Sequence, residues 1–152
     1  MKKIILGLCL VSTGLIYAGE ASAATHDNMI VPDRVNKSFH RDFKGVSDLH
    51  WKKEDKKWDV SFVKNDRNVK MTACYNWMGR RIDSRMPVGQ SALPIKVVDE
   101  LNGKYAGRYA PEFTKIDRAW KTDLYSVKVK ENGVYKTVYL DKNGHEHDYA
   151  SR

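Results

Sequence analysis

Two stretches of this chain carry one plan, and a plan written twice restricts the fold more than any single motif within it. From Trp58 to Asp83 the sequence reads WDVSFVKNDRNVKMTACYNWMGRRID, and from Tyr125 to Asp148 it reads YSVKVKENGVYKTVYLDKNGHEHD. In the first copy Val60 and Phe62 precede the polar turn Lys64-Asn65-Asp66, Val69, Met71 and Ala73 follow it, and Gly79 closes the unit. In the second, Val127 and Val129 precede Glu131-Asn132-Gly133, Val134 and Val138 follow, and Gly144 closes. Alternation with a period of two sends one set of side chains to a core and the other to the opposite face, which predicts paired strands.

Each pair is preceded by a helical pattern. Val31-Pro32-Asp33 opens the first, with proline where its missing N–H matters least, and Val35, Phe39 and Phe43 form one apolar stripe ending near Gly45. A strand follows over Val46–Lys52 with Leu49 and Trp51 on one face, and the charged run Lys52–Lys57 reads as the turn into the strand of Trp58, Val60 and Phe62. Val69, Met71, Ala73, Tyr75 and Trp77 continue the inward face, while Asp59, Ser61, Lys70, Thr72 and Cys74 point outward. Arg80 to Gln90 reads as a linker broken by Pro87 and Gly89. Ser91 then caps a second helix with Pro94 in its first turn and Ile95, Val98, Leu101 and Tyr105 on one side. That helix ends at Asn102-Gly103 or runs to Tyr105, before Gly107 and Pro111. Ile116, Arg118 and Trp120 mark the strand matching that of Trp51. Tyr125, Val127 and Val129 face inward, Asn132-Gly133 is the dipeptide of a tight hairpin, and Val134, Val138 and Leu140 return, with Lys136 interrupting them. Tyr135, Thr137 and Tyr139 face outward, Asp141 to Gly144 is a turn, and Glu146–Tyr149 adds a short last strand.

The expected fold class is α+β: two tandem helix-plus-antiparallel-meander repeats, about residues 31–86 and 91–149, forming one sheet with both helices on one face. The bare face is the natural place for a ligand.

Residues 1–23 read as a secretory signal peptide, from Lys2 and Lys3 through the apolar Ile4–Ile16 to Ala21-Ser22-Ala23, leaving 24–152 as a single domain. The apolar run is shorter than the roughly 20 residues that span a bilayer, so no stable membrane insertion follows removal of the signal. Cys9 leaves with the signal, and Cys74 alone cannot form an intramolecular disulfide. The formal charge is +8, and removing the leader leaves 25 basic against 18 acidic residues. The charges interleave, as in Lys52-Lys53-Glu54-Asp55-Lys56-Lys57, which is a solvated surface rather than a nucleic-acid groove. Export to the periplasm or the medium also separates the chain from nucleic acid. Acidic proteins, envelope lipid and anionic polysaccharide remain.

With these residues placed, the chain resembles the small exported PepSY-like, or beta-lactamase-inhibitor-like, proteins of Bacteroidetes-type bacteria. The resemblance rests on the leader, the helix opening Leu93-Pro94-Ile95-Lys96-Val97-Val98 with Lys104-Tyr105 after it, the strand ending in Trp120, and the Tyr125–Leu140 hairpin closing in Asp141-Lys142-Asn143-Gly144. In the first half Asn76-Trp77-Met78-Gly79 stands where the acidic turn is usual. The resemblance implies a pair of helix-plus-sheet repeats, no catalysis, no cofactor, and a binding role in the envelope or outside the cell. The beta-lactamase inhibitor grips an enzyme with a concave, aromatic-rich sheet, but a partner does not transfer with a fold.

The residues expected to contact a partner are Trp77, Lys128, Tyr135 and Tyr139, since aromatic and basic groups on an open face make hot spots; cross-strand pairing is the plainer reading of the same tyrosines. Trp51, Trp58 and Trp120 belong to the core or its edges. His145 and His147, with Asp141 or Asp148, recur at a spacing that can hold zinc or copper, yet nothing fixes a third ligand, so no metal site is assigned. Cys74 is either a reactive thiol or a small buried side chain. No nucleophile elbow, His-Glu helix or glycine-rich phosphate loop is present, so the chain reads as no enzyme. The leading expectation is an exported module that recognises a protein or restrains an envelope enzyme through its open sheet face. The alternatives are a binder of an anionic small molecule, lipid or glycan, and metal capture.

Overall fold

Each half of the chain opens on a proline that ends an extended residue and starts a helix. A computed structural model of the protein describes residues 30–149, so the leader assigned to residues 1–23 lies outside them. Pro32 and Pro94 have ψ 136° and 144°, and their carbonyls accept the first helical N–H groups, from Val35 at 2.9 Å and Val97 at 3.0 Å. Helices α1 (Asp33–Asp42) and α2 (Ile95–Gly103) follow. Ser91 is therefore not the cap of the second helix. It sits in a 3₁₀ turn, Gln90–Ala92, ahead of the proline. Ile95 lies outside the buried stripe at 70% exposed, and the stripe is Val97, Leu101 and Tyr105, matching Val35, Phe39 and Phe43.

After α1 come β1 (Val46–Glu54), β2 (Lys57–Lys64), β3 (Val69–Asn76) and β4 (Arg81–Val88); after α2 come β5 (Tyr109–Arg118), β6 (Leu124–Glu131) and β7 (Val134–Asp141). All seven form one antiparallel sheet in chain order. Residues 81–88 are thus not a linker but the strand that joins the halves, paired with β3 on one side and β5 on the other. The charged run after Trp51 is mostly strand as well, leaving Asp55-Lys56 as the turn. Asn132-Gly133 forms the tight hairpin, with both residues at positive φ (50° and 82°).

Register shows that both helices cover the same face. Val60 pairs with Ala73, Ala73 with Ser84 and Ser84 with Asp117; two residues at a time along β5 lead to Phe113, which pairs with Val127, itself paired with Val138. Under α1 lie Trp58, Val60, Phe62, Ala73 and Tyr75, and under α2 lie Phe113, Val127, Val129, Val138 and Leu140. Between these two cores the helix face is polar: Arg81 donates to Ser84 Oγ (3.3 Å) and meets Asp117 at 3.4 Å.

The two units close alike, atom for atom. Asn76 Oδ1 accepts from the N–H of Met78 (3.0 Å) and Arg80 (2.9 Å), and Asp141 Oδ1 from those of Asn143 (2.8 Å) and His145 (3.1 Å). Gly79 and Gly144, both at positive φ, then pass against α1 at Arg34 and α2 at Lys96. What the turn requires is one side-chain oxygen, which asparagine supplies as well as aspartate does.

Candidate functional site

The face without helices carries the odd-numbered residues of β7 and their cross-strand partners. Tyr135 pairs with Lys130, Thr137 with Lys128, and Tyr139 with Ser126. Tyr135 is 59% exposed with Lys130 Nζ 5.8 Å above its ring, and Lys128 Nζ lies 3.5 Å from Glu112 Oε2. Tyr135, Thr137, Lys128 and Glu112 line one shallow depression, and Tyr139 lines the next with Glu146, His147 and Tyr149. The structure therefore brings Lys128, Tyr135 and Tyr139 together. It separates Trp77 from them: that indole sits in the β3–β4 turn, where the Arg34 guanidinium of α1 stacks on it at 5.4 Å.

The upper part of this face is covered by the chain's own end. No full strand follows β7 among the described residues; Glu146 makes a single bridge to Leu140, and the His147 N–H donates to Tyr139 O at 2.8 Å. The segment then turns over the sheet. The Tyr149 hydroxyl donates to Asp83 Oδ2 and accepts from Arg85 Nη2 at 3.1 Å, with its ring 4.9 Å from that of Tyr139 and 5.5 Å from the Arg85 guanidinium. Burial and the neighbouring Asp83 carboxylate push the Tyr149 phenol up to about 12. Asp83 is 2% exposed, and Ile116 and Leu124 on the same face are 2% and 0% exposed. Glu146 anchors the segment from the other side, accepting from Lys104 and Tyr105. Nothing in the sequence pointed to Asp83, Arg85 and Tyr149, because the central strand β4 and the segment after β7 meet from more than 60 residues apart in the chain.

His145 Nδ1 and His147 Nε2 both address Asp141 Oδ2, at 3.6 and 3.1 Å, so the imidazoles converge on the carboxylate that also organises the turn. Among the described residues no group of three or more His, Cys, Asp or Glu is placed to hold a metal. Cys74 faces the bare side as its strand phase requires, yet it is buried, and desolvation together with Asp59 drives its thiol well above the usual range. A thiol held neutral is a poor nucleophile. Trp58 is in the core and Trp51 at its edge, but Trp120 is in neither: it stands 92% exposed in the β5–β6 turn, and Phe113 occupies the place corresponding to Trp51.

No protein-family model and no curated protein matches the chain. Solved structures do. A DUF2874 family protein from Bacteroides ovatus superposes with a TM-score of 0.69 at 15% identity, covering 79% of this chain and 86% of that one. A BLIP-like protein from Bacteroides fragilis gives 0.66 at 9% identity, covering 79% and 85%. The fold is the one these proteins share. A third, from Bacteroides eggerthii, whose periplasmic location is itself a proposal, gives 0.68 at 10% identity over 78% and 86%. At such identities the likeness carries the architecture and no partner or site. Among the described residues no helix is long and apolar enough to cross a membrane.

The Asp141 turn gives a pH-dependent expectation. Burial opposes its charge, but bonds from His147 and from the N–H groups of His145 and Asn143 outweigh that and hold its carboxyl at about 2, below the ordinary 3.8. A depressed folded-state value contributes stability above the unfolded value, and that contribution is lost as pH falls from about 4 to about 2. Asp141→Asn keeps the capping oxygen, as Asn76 does in the first half, so it should flatten the acid limb of a melting-temperature profile between those values at a loss of about 1 kcal/mol at neutral pH. Asp141→Ala should lose more. Equal acid slopes for wild type and Asp141→Asn would refute this account.

Proposed function

We propose that the chain is an exported, non-enzymatic binding module of the BLIP-like, PepSY-like kind, acting in the periplasm or outside the cell as a single domain after loss of residues 1–23, and that it recognises a protein through the bare sheet face of its second half. The observation that carries this reading is Tyr135, largely exposed beside Lys128 on a face that no helix covers among the described residues, with Tyr139 one depression further along. Tyrosine supplies a large rigid contact at low entropic expense, and interface hot spots are enriched in it. The first-half positions corresponding to Lys128, Tyr135 and Tyr139 are Ser61, Lys70 and the buried Cys74, none of them aromatic, so the second half carries the contact and the first is scaffold. The kinship in fold to a BLIP-like protein, the leader and the absence of a catalytic constellation support the same reading.

The test is a quantitative pull-down from envelope extract with Tyr135→Ala and Tyr139→Ala, singly and together. Tyr135→Ala alone should weaken capture by about tenfold or more, and since among the described residues its ring packs on no other aromatic, its melting temperature should stay close to that of wild type. Tyr139→Ala also removes the ring against Tyr149, so its melting temperature is measured in parallel. An unchanged set of captured proteins for the double variant would remove the sheet face from consideration.

A further inference from the structure

The β5–β6 turn carries a tryptophan where neither backbone nor core asks for one. Trp120 has φ 67°, the left-handed region that large side chains rarely occupy, and it is 92% exposed. The turn closes without the indole: the Lys121 N–H donates to Arg118 O at 3.3 Å and Arg118 Nε to Thr122 O at 2.7 Å. Strain and exposure are thus both borne at one residue, with no hydrogen bond or ring contact to the indole in return among the described residues. Such an outlier points to something outside it.

What surrounds Trp120 indicates what that is. The neighbouring β3–β4 turn presents Trp77 (50% exposed) and Met78 (47%), and Met78 and Trp120 line one depression with Arg80, Arg81 and Ala119. Arg118 and Lys121 stand beside the indole on its other side. Among the described residues the side chains of Arg80 and Lys121 make no ion pair, whereas the acids of this end are engaged: Asp42 with Arg41 and Tyr75, Asp83 with Arg85 and Tyr149, Asp117 with Arg81, Asp123 with Lys115. Among the described residues Asp33 beside Arg34, Asp55 in the β1–β2 turn and Asp148 are exposed acids near this end without a bond of their own, and of these three Asp148 alone lines a depression with Trp120. Trp120 is 92% exposed, and Arg80 and Lys121 beside it are exposed cations. An exposed indole flanked by guanidinium and ammonium groups matches what a bilayer offers in its interface and its phosphates.

We propose that this end of the sheet seats on an anionic phospholipid bilayer, with Trp120 entering the headgroup layer, Trp77 and Met78 at its surface, and Arg80, Arg118 and Lys121 on lipid phosphates. The contact is peripheral, needs no spanning helix, and leaves the Tyr135 face free. It does not depend on the protein-binding reading above.

Vesicle sedimentation tests it, using the protein as recovered from cells and phosphatidylcholine vesicles with or without phosphatidylglycerol. Wild type should bind the anionic vesicles and release in added salt. Trp120→Gly should lower the partition constant about tenfold or more, and Arg80→Ala with Lys121→Ala several-fold. Because glycine tolerates φ 67°, Trp120→Gly should also melt at or above the wild-type temperature, which separates lost contact from lost fold. Failure of wild type to bind anionic vesicles, or binding by Trp120→Gly equal to wild type, would overturn the proposal. So would a Trp120→Gly variant that keeps its vesicle binding and instead loses a protein from an envelope pull-down.

Discussion

Replacing Phe39 with alanine should lower the unfolding free energy by about 3–5 kcal/mol, the largest effect expected of any single side chain here. Phe39 is fully buried, and its ring meets those of Phe62 (5.1 Å), Trp51 (5.4 Å), Phe43 (5.5 Å) and Tyr75 (6.4 Å), mostly edge to face. Those neighbours come from the end of α1 and from three strands, so truncation leaves a void that no single element can collapse into. Phe39→Leu, which retains most of the volume, should lose about 1 kcal/mol. The counterpart in the second core is Leu101, for which alanine should lose about 2–5 kcal/mol. Denaturant titration followed by near-UV and far-UV signals measures all three. A Phe39→Ala loss below about 1 kcal/mol would mean that the rings repack.

The same titration asks whether two cores make two folding units. The cores are separated by the polar seam at Arg81, Ser84 and Asp117, but β4 hydrogen-bonds to β3 of one half and β5 of the other. A strand held on both edges cannot leave with one half without exposing the ladder of the other. We therefore expect one cooperative transition, with Phe39→Ala and Leu101→Ala shifting every probe together.

That central strand is also where the sequence was least legible. β4 reads RIDSRMPV, with Arg81 and Ser84 turned to the polar seam and Asp83 and Arg85 turned to Tyr149, so no apolar alternation marks it. Pro87 and Gly89 then resemble breaks in a linker. The start of β5 was hidden for a similar reason: Pro111 falls in the register irregularity between Tyr109 and Phe113, where a missing N–H is tolerated. By contrast the paired strands of each repeat were plain, because Val60, Phe62, Val127 and Val129 alternate cleanly and the Asn132-Gly133 turn is specified by its backbone needs. Strand phase alone put Lys128, Tyr135 and Tyr139 on one face, which is where the register places them, whereas Trp77 lies apart in the β3–β4 turn. Trp120 was misplaced because the alternation of Ile116 and Arg118 was continued to it, whereas those residues lie on the helix-free face and β5 ends at Arg118, so the indole falls in the turn.

Gly79→Ala and Gly144→Ala should each lose about 3 kcal/mol, for one shared reason. Both glycines have positive φ (81° and 83°), and a Cβ at either would sit 2.6 Å from a helix carbonyl oxygen, that of Arg34 in α1 or of Lys96 in α2. The left-handed backbone accounts for about 1–2 kcal/mol of the loss. The rest comes from pushing a main-chain oxygen that cannot swing aside, at the roughly 1–3 kcal/mol typical of overpacking. Gly107 separates the two contributions, since it has φ 67° with nothing within 4 Å of where an alanine methyl would stand, so Gly107→Ala should show the backbone part alone. Asparagine separates them from the other side, because it accepts positive φ readily: Gly107→Asn should be nearly neutral, whereas Gly79→Asn and Gly144→Asn keep the clash and should remain destabilised. Thermal melts of the six variants decide the matter. Near-neutral asparagine at 79 and 144 would show that the helices ride loosely over these turns, and that the close approach of each turn to its helix is not what fixes the helices on the sheet.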